Sequence, residues 1–217
     1  WRRAVVIFWR LMPFVFAFLR DRRRWIVFGR SARRTPEQHR RRAERLTAAI
    51  ASLGPTFIKL AQVFSARAGV RPEPGRSAIG KLQDRGPPGA PERIEAVIER
   101  ELGHPVGQVF QAFDREPVAA ASLGQVHRAR VGTEEVAVKV LRPEVEELIA
   151  VDLDISFRAL FLLNILFPNH HVRALTTVVR EFSARIREEM DFRIEAENIA
   201  HFREVFARDR RVRAPRV

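Results

Sequence analysis

The pattern of apolar and polar positions predicts helices in the first half of the chain. Apolar side chains recur at helical spacing from residue 36 to residue 53 and again from residue 56 to residue 64. Gly54 and Pro55 separate the two runs, and proline suits the first turn of a helix. A further helix is predicted over residues 93–102, ending at Gly103.

The pattern changes at residue 109, where it begins to predict strands. Strand character is found over residues 109–113, 124–131 and 135–141, and a Gly132-Thr133 turn between the last two predicts a hairpin. Helical spacing returns over residues 152–167 and 172–206, and residues 211–217 predict the start of another strand. The order of elements indicates an α+β chain.

The N-terminal arm contains an apolar run over residues 4–19, broken by Arg10 and Pro13 and followed by an Arg cluster at residues 20–24. This run is shorter than the roughly 20 apolar residues that span a bilayer. Two interpretations stay open. The arm lies in a membrane interface with its Arg cluster on anionic headgroups, or it forms an amphipathic helix packed on the rest of the protein.

The positive charge belongs to the same arm. The chain carries a net charge of +13, and its first 45 residues hold 14 Arg against three acidic residues. A nucleic-acid-binding domain spreads a basic face over its fold, so this distribution argues against nucleic acid as a partner. The absence of Cys excludes disulfides, thiolate metal sites and Cys nucleophiles, and the His spacing predicts no metal site.

Lysine is rare, since only Lys59, Lys81 and Lys139 occur among 39 basic Lys and Arg residues. A chain that uses Arg wherever it needs charge retains Lys where a compact ammonium is required. Lys139 closes the strand Val136-Ala137-Val138-Lys139, and a Lys in this position is how protein kinases hold nucleotide phosphates. Lys139 is therefore the leading candidate for a nucleotide ligand.

A loop of small side chains lies between the first two predicted strands. Its candidate phosphate-binding residues are Ala119, Ala120, Ala121, Ser122 and Gly124. Small side chains let backbone N–H groups approach a phosphate closely, although an isolated loop of this kind is more often a tight turn without a ligand. The loop becomes evidence for a phosphate site only because it precedes the strand that carries Lys139.

The last predicted helix carries a group of acidic and amide side chains: Glu189, Asp191, Glu195 and Asn198. Spacings of four and three residues place the last three on one helical face. A solvated charged face is the ordinary explanation. The alternative is a carboxylate that holds the Lys139 ammonium in place on the phosphates.

Taken in order over residues 53–217, these motifs resemble the UbiB family of atypical protein-kinase-like proteins, also called ADCK or AarF. Lys59-Leu60-Ala61-Gln62 is similar to the Lys-x-Gly-Gln motif of the family, with Ala61 in the place of Gly. The segment from Ala119 to His127, which contains this loop, is similar to the Ala-rich loop that replaces the kinase Gly-rich loop. Glu189-Met190-Asp191, followed by Glu195, matches the Glu-x-Asp motif and the helix C glutamate.

The resemblance implies a role for each of these residues. Lys59 and Gln62 lie on a helix that folds over the nucleotide cleft and limits substrate access, with Glu189 and Asp191 close to Lys59. The Ala-rich loop and Lys139 bind ATP or ADP with Mg²⁺, and Glu195 pairs with Lys139. No metal ligand is expected within this chain, because the family takes its Mg²⁺ ligands from a C-terminal lobe.

The same resemblance implies an α+β fold: an atypical protein-kinase-like N-lobe, with a small antiparallel sheet and a long helix C, behind a helical N-terminal extension. The implied divisions are a basic, membrane-proximal arm at residues 1–45, the extension at residues 46–107 and the N-lobe at residues 108–217. We do not expect this chain to turn over alone, because a kinase positions its nucleophile and Mg²⁺ from the C-terminal lobe.

By resemblance, the function is nucleotide binding within a membrane-associated kinase or ATPase that supports isoprenoid-quinone or related lipid metabolism. The implied location is the cytoplasmic face of a bacterial inner membrane. Adenine nucleotide, a membrane surface or isoprenoid lipid, and quinone-biosynthesis proteins are the implied partners. The alternative is a non-catalytic lipid-handling or scaffolding protein, in which Lys139 and Glu195 form an ordinary buried ion pair.

Overall fold

The computed structural model describes residues 2–21, 35–66, 88–168 and 170–217. The chain divides into two compact units, Trp1–Ser156 and Phe157–Val217. No helix within the described ranges is long and apolar enough to cross a membrane. The divisions predicted after residues 45 and 107 stay predictions, and Lys81 lies outside the described residues.

Three helices open the first unit: α1 (Arg2–Asp21), α2 (Pro36–Leu53) and α3 (Pro55–Ala66). A capping box begins α2, in which the Thr35 hydroxyl accepts the Gln38 N–H at 3.3 Å and the Gln38 side chain accepts the Thr35 N–H at 3.1 Å. Gly54 ends α2 with φ +97°, a conformation that glycine adopts without steric cost. The predicted break before Pro55 is confirmed.

The inner faces of these helices form one hydrophobic core. Its buried members are Ile7, Ile50, Leu53, Phe57 and Ala61. Burial of a large aliphatic or aromatic side chain contributes about 1.5–3 kcal/mol. Helix α1 is therefore packed on its neighbours through Ile7, as the second interpretation of the arm expects; the Arg cluster after α1 lies largely outside the described residues.

A small antiparallel sheet follows α4 (Pro91–Leu102) and the short α5 (Val106–Val109). Its strands are β1 (Ala112–Phe113), β2 (Ala119–Ala120), β3 (Gly124–Val131) and β4 (Glu134–Leu141). Strand β3 is central, since β4 pairs along its whole length and β1 and β2 pair with it in turn. The hairpin at Gly132 is confirmed, but the strand predicted from residue 109 is wrong there, because Val109 completes a helical turn.

The sheet has two chemically different faces. Ala129 and Val140 join Ile94 and Ile98 of α4 in a second hydrophobic core, with Phe110 beside them. On the opposite face the alternate positions of β3 and β4 are more exposed, as strand periodicity requires.

Helix α6 (Val145–Leu166) leads from the first unit into the second, which also contains α7 (His170–Met190) and α8 (Phe192–Val205). The single helix predicted over residues 172–206 is wrong, because the chain leaves helical geometry at Asp191, with φ −87° and ψ 93°. Its carboxylate accepts the backbone N–H of Arg193 at 3.1 Å, a local bond that favours a cap over a continuing helix. Residues 211–217 form no strand.

Candidate nucleotide site

One cross-strand row connects the small-residue loop to Lys139. Val126 of β3 lies opposite Ala119 of β2 on one side and opposite Lys139 of β4 on the other. Residues paired in this way direct their side chains to the same face of a sheet. Ala119 and Lys139 are exposed there, two strand spacings or about 10 Å apart.

The sequence of β4 determines which face carries Lys139. Val136, Val138 and Val140 alternate toward the core of α4, so Ala137 and Lys139 take the opposite face. A register slip of one residue would bring the Lys139 ammonium into the core and the valines to the surface. The hydrophobic alternation thus specifies the orientation of this cation.

The loop itself is a closed turn. The Ala121 N–H donates to the Gly124 carbonyl at 2.8 Å, and the Arg142 N–H donates to the Leu123 carbonyl at 2.8 Å. Ser122 and Gly124 are buried, Ala120 and Ala121 are half-buried, and Ala119 is exposed. The phosphate-binding role of the loop stays a prediction, and Ala119 is the loop residue most accessible on the Lys139 face.

Two polar side chains lie in the core directly beneath this loop. Gln125 and His127 occupy inward positions of β3 and are 1% and 0% exposed. They form a hydrogen-bonded chain with backbone groups of Gly89 and Asp114. Sequence reasoning gave them no role of their own, although polar residues at two successive inward positions of a strand are a readable signal.

The Lys59 motif lies on α3. Lys59 and Gln62 are both half-buried and three residues apart, so they project from the same side of the helix. Ala61 is 7% exposed and belongs to the core with Phe57 and Ile7. The methyl group that replaces the Gly of the family motif is therefore used in packing α3.

The acidic motif lies at the junction of α7 and α8. Glu189 is exposed in the last turn of α7, Asp191 caps α8, and Glu195 and Asn198 are exposed on α8. The Arg193 guanidinium donates two hydrogen bonds to Asp191, at 2.8 and 2.6 Å, and this contact lowers the pKa of that carboxyl. The predicted pairing of Glu195 with Lys139, and the proximity of Glu189 and Asp191 to Lys59, stay predictions.

One depression in the first unit lies away from this face of the sheet. About 390 Å³ in volume, it lies between α4 and the start of α6, and neither Lys139 nor the loop lines it. Among the described side chains, no group of three or more His, Asp or Glu residues is placed to hold a metal ion.

Comparison with known proteins identifies the class. Residues 81–217 match the ABC1 atypical kinase-like domain. The chain is 40% identical over 187 residues to a probable protein kinase UbiB of Pseudomonas putida, covering 85% of this chain and 34% of that protein. It is 34% identical over 221 residues to the chloroplastic protein ACTIVITY OF BC1 COMPLEX KINASE 7 of Arabidopsis thaliana, covering 100% of this chain and 31% of that protein.

A solved structure has a similar fold. The complex of Rv3197 and erythromycin from Mycobacterium tuberculosis superposes with a TM-score of 0.54 at 32% identity, covering 83% of this chain and 46% of that one. The chain spans about a third of the length of the two curated relatives. It belongs to the ABC1 atypical kinase-like family, which is the UbiB/ADCK/AarF family, and its α+β fold is that of a kinase-like N-lobe with a helical extension.

Proposed function

We propose that this chain is the nucleotide-binding portion of a membrane-associated UbiB-type kinase or ATPase that supports isoprenoid-quinone or related lipid metabolism. The observation that carries the proposal is the row in which Ala119, Val126 and Lys139 share one face of the sheet. The UbiB and BC1 complex kinase relatives, both named as kinases, support the kinase part.

The residues on this face fit the phosphates of ATP or ADP. Lys139 is exposed and carries its ammonium on a flexible stem, and Ala119, two strands away in the same row, adds little bulk to this face. The exposed Arg128 of β3 lies on the same face, opposite Ala137, and adds positive charge. In the proposed site Lys139 binds the phosphates and Glu195 orients its ammonium. Bound nucleotide with Mg²⁺ supplies the transferable phosphoryl group.

Nucleotide binding tests this proposal. Isothermal titration of MgADP and MgATP into the longest expressed form of the protein should show binding that Lys139→Met weakens more than tenfold, because the ammonium is lost. Arg130→Met is the matched control, because it removes an exposed cation from the same face. Arg130 lies four residues, or about 13 Å, along β3 from Val126, the residue opposite Lys139. It should weaken binding less than threefold.

The alternative function, a non-catalytic lipid-handling or scaffolding protein, draws on the closed loop, in which Ser122 and Gly124 are buried. If the protein is such a scaffold, the wild-type protein binds no nucleotide, and Lys139→Met changes only the melting temperature. Absence of nucleotide binding in folded wild-type protein would therefore favour the scaffold.

The membrane part of the proposal draws on the outer face of α1. Phe8, Trp9 and Phe16 are 51%, 69% and 51% exposed there, while Ile7 is buried on the inner face. Apolar and aromatic side chains on an Arg-rich helix suit the interface of an anionic membrane. We propose the cytoplasmic face of a bacterial inner membrane as the location, with isoprenoid lipid and quinone-biosynthesis proteins as further partners.

A further inference from the structure

Four groups form a hydrogen-bonded chain beneath the small-residue loop, and the two side chains at its centre are buried. The Gly89 N–H donates to Gln125 Oε1 at 2.9 Å, Gln125 Nε2 lies 2.7 Å from His127 Nε2, and His127 Nδ1 lies 2.8 Å from the Asp114 carbonyl oxygen. The Phe113 ring stacks on the imidazole, with ring centroids 5.0 Å apart. The chain links the segment before α4 to the connection between β1 and β2.

The two backbone ends determine the direction of every bond in this chain. The Asp114 carbonyl only accepts, so His127 Nδ1 carries the proton and Nε2 accepts from the Gln125 amide. The Gly89 N–H only donates, so Gln125 must present its oxygen to Gly89 and its nitrogen to His127. One amide orientation and one imidazole tautomer satisfy all four groups, and no other combination does.

This hydrogen-bonded chain is placed to control the position of the small-residue loop. Gln125 follows Gly124, the last residue of the loop, and lies opposite Ala120, the last residue of β2. On its other side Gln125 lies opposite Val140, the neighbour of Lys139. A displacement of Gln125 therefore shifts both ends of the loop, at Ala120 and Gly124. It also changes the register between the loop and Lys139.

We infer that Gln125 and His127 are positioning residues for the proposed nucleotide site, which hold the loop in register with Lys139. This inference rests on the proposed function for its relevance to nucleotide, but the positioning itself is measurable without any ligand. Gly89 is part of the same arrangement, because a side chain at this position would crowd it. A Cβ there would lie 3.3 Å from Ile94 Cδ1 and 3.4 Å from Gln125 Oε1.

Hydrogen exchange of individual amides tests the positioning. The Ala121 and Arg142 amides close the loop turn and serve as reporters. His127→Phe preserves an aromatic ring but neither hydrogen bond, and we expect it to accelerate exchange at both reporters at least tenfold. His127→Gln supplies one acceptor and one donor in the same order, and it should restore at least part of the protection.

The matched control is Gln111→Leu, because the Gln111 side chain accepts the Gly132 N–H at 2.7 Å at the far end of the same sheet. It removes a bond of the same type, in which a glutamine oxygen accepts a glycine N–H, at an exposed position, and it should leave exchange at the Ala121 and Arg142 amides unchanged. Equal acceleration in Gln111→Leu and His127→Phe, or none in His127→Phe, would overturn the inference. If His127→Phe does not fold, Gln125→Leu is compared with Gln111→Leu in the same way.

Titration of MgADP separates this inference from the proposed function. Where wild-type protein binds MgADP, we expect His127→Phe to bind it at least tenfold more weakly and His127→Gln to recover part of the loss. Unchanged affinity with accelerated exchange would overturn the link to the nucleotide. Wild-type protein that binds no MgADP refutes the proposed function, while the exchange data still decide whether Gln125 and His127 position the loop.

Discussion

Arg3 and Asp152 form a bidentate ion pair across 149 positions of sequence, with distances of 2.7 and 2.8 Å to the two carboxylate oxygens. The same guanidinium donates to the Leu53 carbonyl at the end of α2. Asp152 is completely buried, and its contact raises the pKa of Arg3. One side chain thus connects α1, α2 and α6.

Arg3→Met should lower the free energy of unfolding by about 2–4 kcal/mol, because it leaves the Asp152 carboxylate buried without its partner. Urea denaturation measures the loss. Arg10→Met, which removes an exposed Arg from the same helix, should change stability by less than about 0.5 kcal/mol. The double variant Arg3→Met/Asp152→Leu should lose less than Arg3→Met alone, and an equal or larger loss would contradict the buried-charge explanation.

Glu144→Asn should stabilise the protein. Glu144 has φ +61° and precedes α6, a conformation that costs an ordinary residue about 1–2 kcal/mol and that Asn tolerates. Asn also suits the start of a helix, while the exposed contact with Arg93 at 2.6 Å contributes at most about 1 kcal/mol. We expect a gain of about 0.5–1 kcal/mol in thermal or urea unfolding.

Glu147→Asn, at an exposed helical position of α6, is the control for Glu144→Asn and should lose up to about 0.7 kcal/mol through helix propensity. Glu144→Val should be less stable than wild type, because a β-branched residue is strained at positive φ. Stabilisation by valine would show that the backbone at residue 144 is not strained.

The outer face of α1 should bind anionic vesicles. Phe8→Ser/Trp9→Ser removes exposed aromatic rings without touching the core, and it should weaken binding to vesicles of mixed phosphatidylglycerol and phosphatidylcholine at least fivefold in flotation. Phe161→Ser removes an aromatic ring that is 70% exposed on α6 and is the control. Equal losses in both variants would argue against a specific role of α1.

Acid should weaken the start of α8. The hydrogen bond from Arg193 lowers the pKa of Asp191, so its stabilising effect is present above the unfolded pKa, near 3.8, and is lost as pH falls through the lower folded value. Asp191→Asn preserves a capping group but removes the charge. Between pH 5 and pH 2, wild-type protein should lose more stability than Asp191→Asn, measured by circular dichroism in urea. Parallel pH profiles would exclude this contribution.

Local pattern predicted much of the fold correctly. The break at Gly54 and Pro55, the end of α4 at Gly103, and the hairpin at Gly132 follow from the conformations that these residues permit. The exposed face of Lys139 also follows from the valine alternation in β4. The single helix across residue 191 failed, since periodicity continues through a position where Asp191 forms a competing local bond.

The sequence by itself determined most of the helices and strands, the family motifs and the orientation of Lys139, because helix and strand periods are local properties of the chain. Only the tertiary structure decided that Ala119 and Lys139 share one row, that Gln125 and His127 support the loop, and that Arg3 connects to Asp152. These relationships join residues that lie apart in sequence. They depend on strand register and helix packing, which are set by the burial of whole faces and not by any short sequence pattern.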